Sequence, residues 1–106
     1  MSSVKHEPGK PWTFLTSHAQ VLLCVAHDPD ARLRDIAAQV GITERAAQRI
    51  IADLIESGYV EREHIGRRNR YTIKPSAGMR HQLQSGLEVG DLLELLQRYP
   101  APLENA

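Results

Sequence analysis

Two clusters of side chains in this chain have the chemistry to grip hydrogen-bonding edges and anionic oxygens. In the first, Arg45, Gln48 and Arg49 stand three and four positions apart, so a helix would present them on one face. An arginine fork can bond O6 and N7 of guanine, and a glutamine amide can do the same for N6 and N7 of adenine. In the second, Arg67, Arg68 and Arg70 fall close together, and guanidinium groups take phosphate oxygens in pairs. Arg32 and Arg34 make a smaller group upstream. A solvated helix face or a plain soluble turn carries the same residue types. The elements that hold these side chains therefore decide what they do.

Residues 33–51 supply the frame for the first cluster. Ile36 and Val40 lie four apart and share one face of a short helix, about residues 34–40. Ala37 is small enough to let a second helix cross closely. Gly41 follows, where a left-handed backbone is needed and glycine adopts it at little cost. Ile42 fills the corner, Thr43 can cap the next helix, and Glu44 suits the positive end of its dipole. Ala47, Ile50, Ile51, Leu54 and Ile55 then recur as a buried stripe of a helix over about 43–57, which Gly58 stops. Arg45, Gln48, Arg49, Ala52 and Asp53 fall on or near the opposite face.

This is the spacing of a helix-turn-helix, whose second helix enters the major groove of DNA. Thr43 and Glu44, at the start of that helix, join Arg45, Gln48 and Arg49 as candidate DNA contacts. Asp53 and Glu56 repel phosphate, so the C-terminal half of the helix is expected to leave the groove. Arg32 and Arg34 flank the start of the first helix, where a DNA backbone would pass.

The second cluster falls on a hairpin. Residues 59–64 read as a strand, Ile65-Gly66-Arg67-Arg68 as a turn, and residues 69–74 as the returning strand. Tyr71 and Ile73 share one face, with Arg70, Thr72 and Lys74 on the other. Arginines on a hairpin directly after a recognition helix fit phosphate or minor-groove contact. The order helix, helix, helix, hairpin resembles small bacterial winged helix-turn-helix regulators of the MarR and ArsR type. Trp12-Thr13-Phe14-Leu15-Thr16 and Gly66-Arg67-Arg68-Asn69-Arg70-Tyr71 resemble a compact MarR-like subgroup. The resemblance covers residues 12–74 and continues more weakly into the C-terminal helix. It implies a mainly α fold with a small β-hairpin, DNA binding, transcriptional regulation and a homodimer. A metal sensor of the ArsR type would need a ligand cluster. Here His6, His18, His27, His64 and His81 include no pair four apart and no companion cysteines, so no metal or cofactor is expected.

At 106 residues the chain is expected to be one unit with a modest core and no separate ligand-binding domain. It divides into a flexible arm (1–11), a winged helix body (12–75) and a C-terminal extension (76–106). Thr16 or Ser17 can cap a first helix running to about His27, ended by Asp28-Pro29-Asp30. Residues 31–33 are expected as a short strand beside the hairpin, and Trp12 as a core anchor. Residues 79–86 show no clean period. A last helix covers about 88–99, before Pro100 and Pro102. On it Val89, Leu92, Leu93 and Leu96 share a stripe that Leu95 and Tyr99 widen. Dimer interfaces use apolar surface of this kind, so these six are the candidate dimerisation residues. Folding back onto the first helix is the competing placement.

The apolar fraction of 42% and the charged fraction of 25% are ordinary for a soluble globular chain. No apolar run approaches the ~18 residues of a membrane span. The N-terminus shows no secretory signal, and one cysteine, Cys24, cannot form an internal disulfide. Both fit a cytoplasmic protein. Cys24 reads as a small core residue. The formal net charge is zero, whereas DNA-binding domains commonly have a pI above about 9. Its distribution is uneven: Arg67, Arg68, Arg70 and Lys74 follow one another without an acid, while acids outnumber arginines after Met79. Exposed charges are screened beyond about 8 Å, so local balance governs steering. Neutrality also supports an alternative, a winged helix that meets a partner protein and not DNA. No glycine-rich phosphate loop, nucleophile elbow or paired carboxylates support an enzyme.

Overall fold

Threonine hydroxyls open two of the helices. Thr16 Oγ1 accepts the Ala19 amide at 3.2 Å ahead of α1 (Ser17–His27), and Thr43 Oγ1 accepts the Ala46 amide at 3.0 Å ahead of α3 (Glu44–Glu56). Between them α2 (Leu33–Val40) starts from Arg32, whose carbonyl accepts the Asp35 and Ile36 amides at 3.0 Å each. The carbonyl of Ala37 takes both the Gly41 and Ile42 amides, at 2.8 and 3.0 Å, with Gly41 at φ +84°. A Cβ at Gly41 would meet nothing within 4 Å. The constraint there is the left-handed backbone and not crowding.

The computed structural model describes residues 12–98. After α3 come β1 (Val60–Ile65), β2 (Arg68–Ile73), a 3-10 turn at Gln82–Gln84, and α4 (Val89–Arg98). This is the mainly α architecture with one hairpin that the sequence suggests. The core joins Val21, Leu22 and Val25 of α1 to Ile36 of α2, and Ile50, Ile51 and Leu54 of α3. Val60, Tyr71, Val89 and Leu93 complete it. Each such side chain contributes about 1.5–3 kcal/mol on burial, so packing of the shared stripe holds these short helices together.

The strands pair antiparallel from Val60↔Ile73 to Ile65↔Arg68, one residue later at the start of β1 and one earlier at that of β2 than the alternation suggests. Gly66 and Arg67 form the two-residue loop, with Gly66 first at φ +64°. Val60, Arg62 and His64 therefore share a face with Asn69, Tyr71 and Ile73.

Two expectations are corrected. Residues 31–33 form no strand; Arg32 caps α2 and Leu33 is already helical, so no extended length is left. The link to the hairpin is a single backbone bond, from the Tyr71 amide to the Pro29 carbonyl at 2.9 Å. Trp12 is no core anchor: it is 69% exposed and Phe14 91%, because both precede the Thr16 cap and lie off the inward stripe of α1.

Beyond the hairpin, residues 75–79 run antiparallel to 87–90. Met79 donates to Leu87 at 2.9 Å, Val89 to Ala77 at 2.8 Å and Gly90 to Pro75 at 2.9 Å, each through the backbone. This brings α4 down with Val89 and Leu93 in the core. Gly90 lies so close that a Cβ there would sit 2.8 Å from Pro75 Cβ and 2.9 Å from its carbonyl oxygen. Tyr99 and the arm of residues 1–11 lie outside the described residues.

Candidate nucleic-acid interface

An open cleft of about 390 Å³ separates α3 from the hairpin. Its walls carry Arg32 from the start of α2, Gln48 from α3, Arg62 from β1, and Arg67 and Arg68 from the hairpin tip. Ile51 and Tyr71 form apolar parts of the lining. Among the described residues, the side chains of Arg32, Arg62 and Arg67 have no hydrogen-bond or ion-pair partner. Arg68 gives one bond, at 2.7 Å, to the main-chain carbonyl of Asp30. Four arginines thus line one cleft, and no carboxylate is bonded to any of them. Planar forks so placed are matched to phosphate oxygens.

The helix-three candidates divide around this cleft. Gln48 lines it, while Arg45 and Arg49 stand exposed on α3 with no side-chain partner among the described residues. The Thr43 hydroxyl is engaged as the cap, and Glu44 is exposed in the first turn. Arg34 is exposed on α2. Asp53 accepts from or pairs with His18 Nε2 at 2.8 Å, tying the C-terminal half of α3 to α1.

Arg70 is not brought into the cleft. Its Nε and Nη2 bond the two carboxylate oxygens of Asp30 at 2.9 and 3.2 Å. This hydrogen-bonded guanidinium holds the Asp30 carboxyl below the usual carboxylate range. Lys74 likewise pairs with Glu61 at 3.2 Å. The run of cations from Arg67 to Lys74 is acid-free along the chain but not in space. Arg62 is the residue that reading in sequence overlooked. Its signal was present, since it stands two positions after buried Val60 and so shares its face.

The remaining candidates are placed as follows. On α4, Val89 and Leu93 are buried in the chain's own core, Leu92 and Leu96 are half-buried, and Leu95 is 49% exposed. Cys24 is half-buried, with Sγ 3.3 Å from Gln39 Oε1. Burial pushes its thiol up, which leaves little reactive thiolate at neutral pH. Among the described residues no group of three His, Cys, Asp or Glu side chains could hold a metal, and no helix is long and apolar enough to cross a membrane.

A helix-turn-helix followed by a hairpin defines a winged helix protein. The model of the MarR family matches residues 13–70, more than half of the chain. The chain belongs to the MarR family, a family of transcriptional regulators. Its fold is similar to that of the PcaV transcriptional regulator from Streptomyces coelicolor, solved with its natural ligand. The TM-score is 0.52 at 16% identity, covering 86% of this chain and 66% of that one. It is also similar to the Mycobacterium tuberculosis MarR family protein Rv2887 in complex with salicylic acid. There the TM-score is 0.51 at 19% identity, covering 86% of this chain and 70% of that one. These likenesses are ones of fold. No curated protein matches the chain at a significant level.

Proposed function

We propose that this chain binds double-stranded DNA as a cytoplasmic homodimer, with α3 in the major groove and the hairpin, its wing, on the backbone or minor groove. The observation that carries the reading is the convergence of Arg32, Arg62, Arg67 and Arg68 on one cleft beside α3. Phosphate contacts of this kind supply much of the affinity and carry no sequence preference. Preference comes from Arg45, Gln48 and Arg49, which α3 exposes next to the cleft. A net charge of zero is compatible with this mode, because the carboxylates of Asp30 and Glu61 are engaged by Arg70 and Lys74 and neither is bonded to a cleft arginine.

The winged body over 12–75 would supply these contacts and the extension after it the second copy. Leu92, Leu95 and Leu96 form the outward stripe of α4, and exposed Leu87 precedes it. A second copy on that stripe would set two recognition helices on successive grooves, favouring half-sites about 10 base pairs apart or a multiple of that. Val89 and Leu93 serve this interface only by holding α4 in place.

A salt series on random-sequence duplex tests the reading. Log affinity should fall linearly with log salt, and a dimer presenting the four cleft arginines twice would reach a slope of about −7. Absence of binding at about 50 mM salt would overturn it in favour of a protein-interaction module. Sedimentation of the wild type beside a Leu92→Asp, Leu96→Asp double variant tests the dimer. A wild type that stays monomeric at tens of micromolar would reject it.

A further inference from the structure

We infer that Asp30 is a positioning residue for the wing, clipping β2 to the α1–α2 turn and so setting the cleft arginines at a fixed angle to α3. The inference rests on the DNA-binding reading above and adds to it a residue that touches no DNA. Two consecutive residues of the turn make four bonds to β2. The Asp30 carboxylate accepts from Arg70 Nε and Nη2 at 2.9 and 3.2 Å. The Asp30 carbonyl accepts from Arg68 Nη2 at 2.7 Å. The Pro29 carbonyl accepts from the Tyr71 amide at 2.9 Å. Arg68 is itself a cleft arginine, so the turn holds one member of the cleft directly.

The wing needs such a support. A two-stranded hairpin is marginal alone, and among its strand residues only Val60 and Tyr71 are buried. No third strand flanks it among the described residues. The turn, by contrast, is well fixed. The Asp30 amide bonds Asp28 Oδ1 at 3.1 Å, the Ala31 amide bonds the Asp28 carbonyl at 3.0 Å, and Pro29 has its own φ locked. Asp30 and Arg70 are each about half exposed, so the pair contributes little to overall stability. Its value is directional: two near-parallel bonds fix the plane of the guanidinium and with it the lean of β2. Arg70 is in this account a strut and not a phosphate contact.

The test measures two things in the full chain: amide exchange at Tyr71, and binding to random-sequence duplex over a salt series. Asp30→Ala should speed Tyr71 exchange and weaken DNA binding about three- to tenfold with the salt slope unchanged. Loss of a negative charge by itself favours DNA, so a fall in affinity cannot come from charge alone. Arg70→Met should behave like Asp30→Ala, whereas Arg67→Ala should lower the slope by about 0.9. The charge-reversed double variant Asp30→Arg, Arg70→Asp should recover slow exchange. Tighter DNA binding by Asp30→Ala would overturn the inference, since Asp30 would then be masking the wing from phosphate. A reduced slope in Arg70→Met would overturn it too. Unchanged Tyr71 exchange in Asp30→Ala would reject the clip whether or not the wild type binds DNA. Faster exchange in a chain that binds no DNA would sustain the clip and reject the DNA reading instead.

Discussion

The outward faces of α3 and α4 carry opposite chemistry on similar foundations. Both helices bury an apolar stripe, Ala47, Ile50, Ile51 and Leu54 in one and Val89 and Leu93 in the other. Outward, α3 shows Arg45, Gln48 and Arg49, while α4 shows Leu92, Leu95 and Leu96. One surface offers cationic and hydrogen-bonding groups and the other apolar side chains. The foundations differ in depth. α3 is capped at Thr43, closed by the Tyr59-to-Leu54 backbone bond at 2.9 Å, and packed on α1, α2 and β1. α4 stands on two buried side chains, the close contact at Pro75 and two backbone bonds, from Val89 to Ala77 and from Gly90 to Pro75. On the proposed function, a readout surface gains from rigidity, whereas an interface helix is completed by its partner.

The largest effect should come from the deeper foundation. Ile51→Ala leaves a cavity where α3 meets the core, and the expected loss is about 2–5 kcal/mol by urea denaturation. In a domain of this size that is a large part of the total stability. Because Val89 and Leu93 share the core, α4 should lose its protection in the same transition. Two separate transitions would show that α4 is an independent unit.

A smaller and more local effect is expected at Gly90. Its substitution by alanine puts a methyl against the backbone of Pro75, which cannot rotate away. The expected cost is about 1–3 kcal/mol, felt as displacement of α4 with the body of α1 to α3 intact. Sedimentation should report a weakened dimer, and circular dichroism should retain most of the helix signal. A fully dimeric Gly90→Ala chain would mean that the position of α4 on Pro75 does not set the interface.

How much of this could be read in the sequence depends on how local the cause is. The turn from α2 to α3 is written in adjacent residues: Gly41 for the left-handed backbone, Thr43 for the cap, and the stripe from Ala47 to Leu54. The role of Arg62 needed only the two-residue period of β1, counted from Val60. Arg70 is different, because its partner Asp30 lies 40 positions away and nothing in the neighbouring residues announces the pair. The expected strand at residues 31–33 failed for the same reason. The turn reaches β2 through one backbone bond and an ion pair instead of a ladder. Gly90 was invisible, since its need for a bare Cα comes from Pro75 across a loop.

Comparable in size to the Gly90 effect, but confined to binding, is the readout on α3. Gln48→Ala or Arg49→Ala should cost about 1–3 kcal/mol at a preferred site and relax preference at one base position. Both side chains are exposed, so thermal stability should stay near that of the wild type. Selection from a random duplex pool checks this. Unchanged selectivity in both variants would remove the outward face of α3 from base reading and leave only the cleft arginines.

The smallest effect is acid sensitivity, and it should appear on one side of the molecule only. The hydrogen bond from Arg70 lowers the Asp30 carboxyl below its ordinary value, near 3.9 in an unfolded chain. A group lowered in this way favours the folded state above its unfolded pKa, and that contribution is lost as the pH falls through the folded value. The clip should therefore be fully formed at neutral pH and release only below about pH 4. Val89 and Gly90 are held instead by backbone bonds to the carbonyls of Ala77 and Pro75, which do not titrate, although the Asp91 carboxylate caps the Glu88 amide beside them at 3.1 Å. In amide-exchange protection measured from pH 6 downward, Tyr71 should lose protection as Asp30 is protonated, while Val89 and Gly90 keep theirs. Arg70→Met should abolish that acid-dependent loss, because protonating Asp30 would then break nothing. If Val89 and Gly90 lost protection first, or if the variant responded to acid like the wild type, the wing would not depend on Asp30.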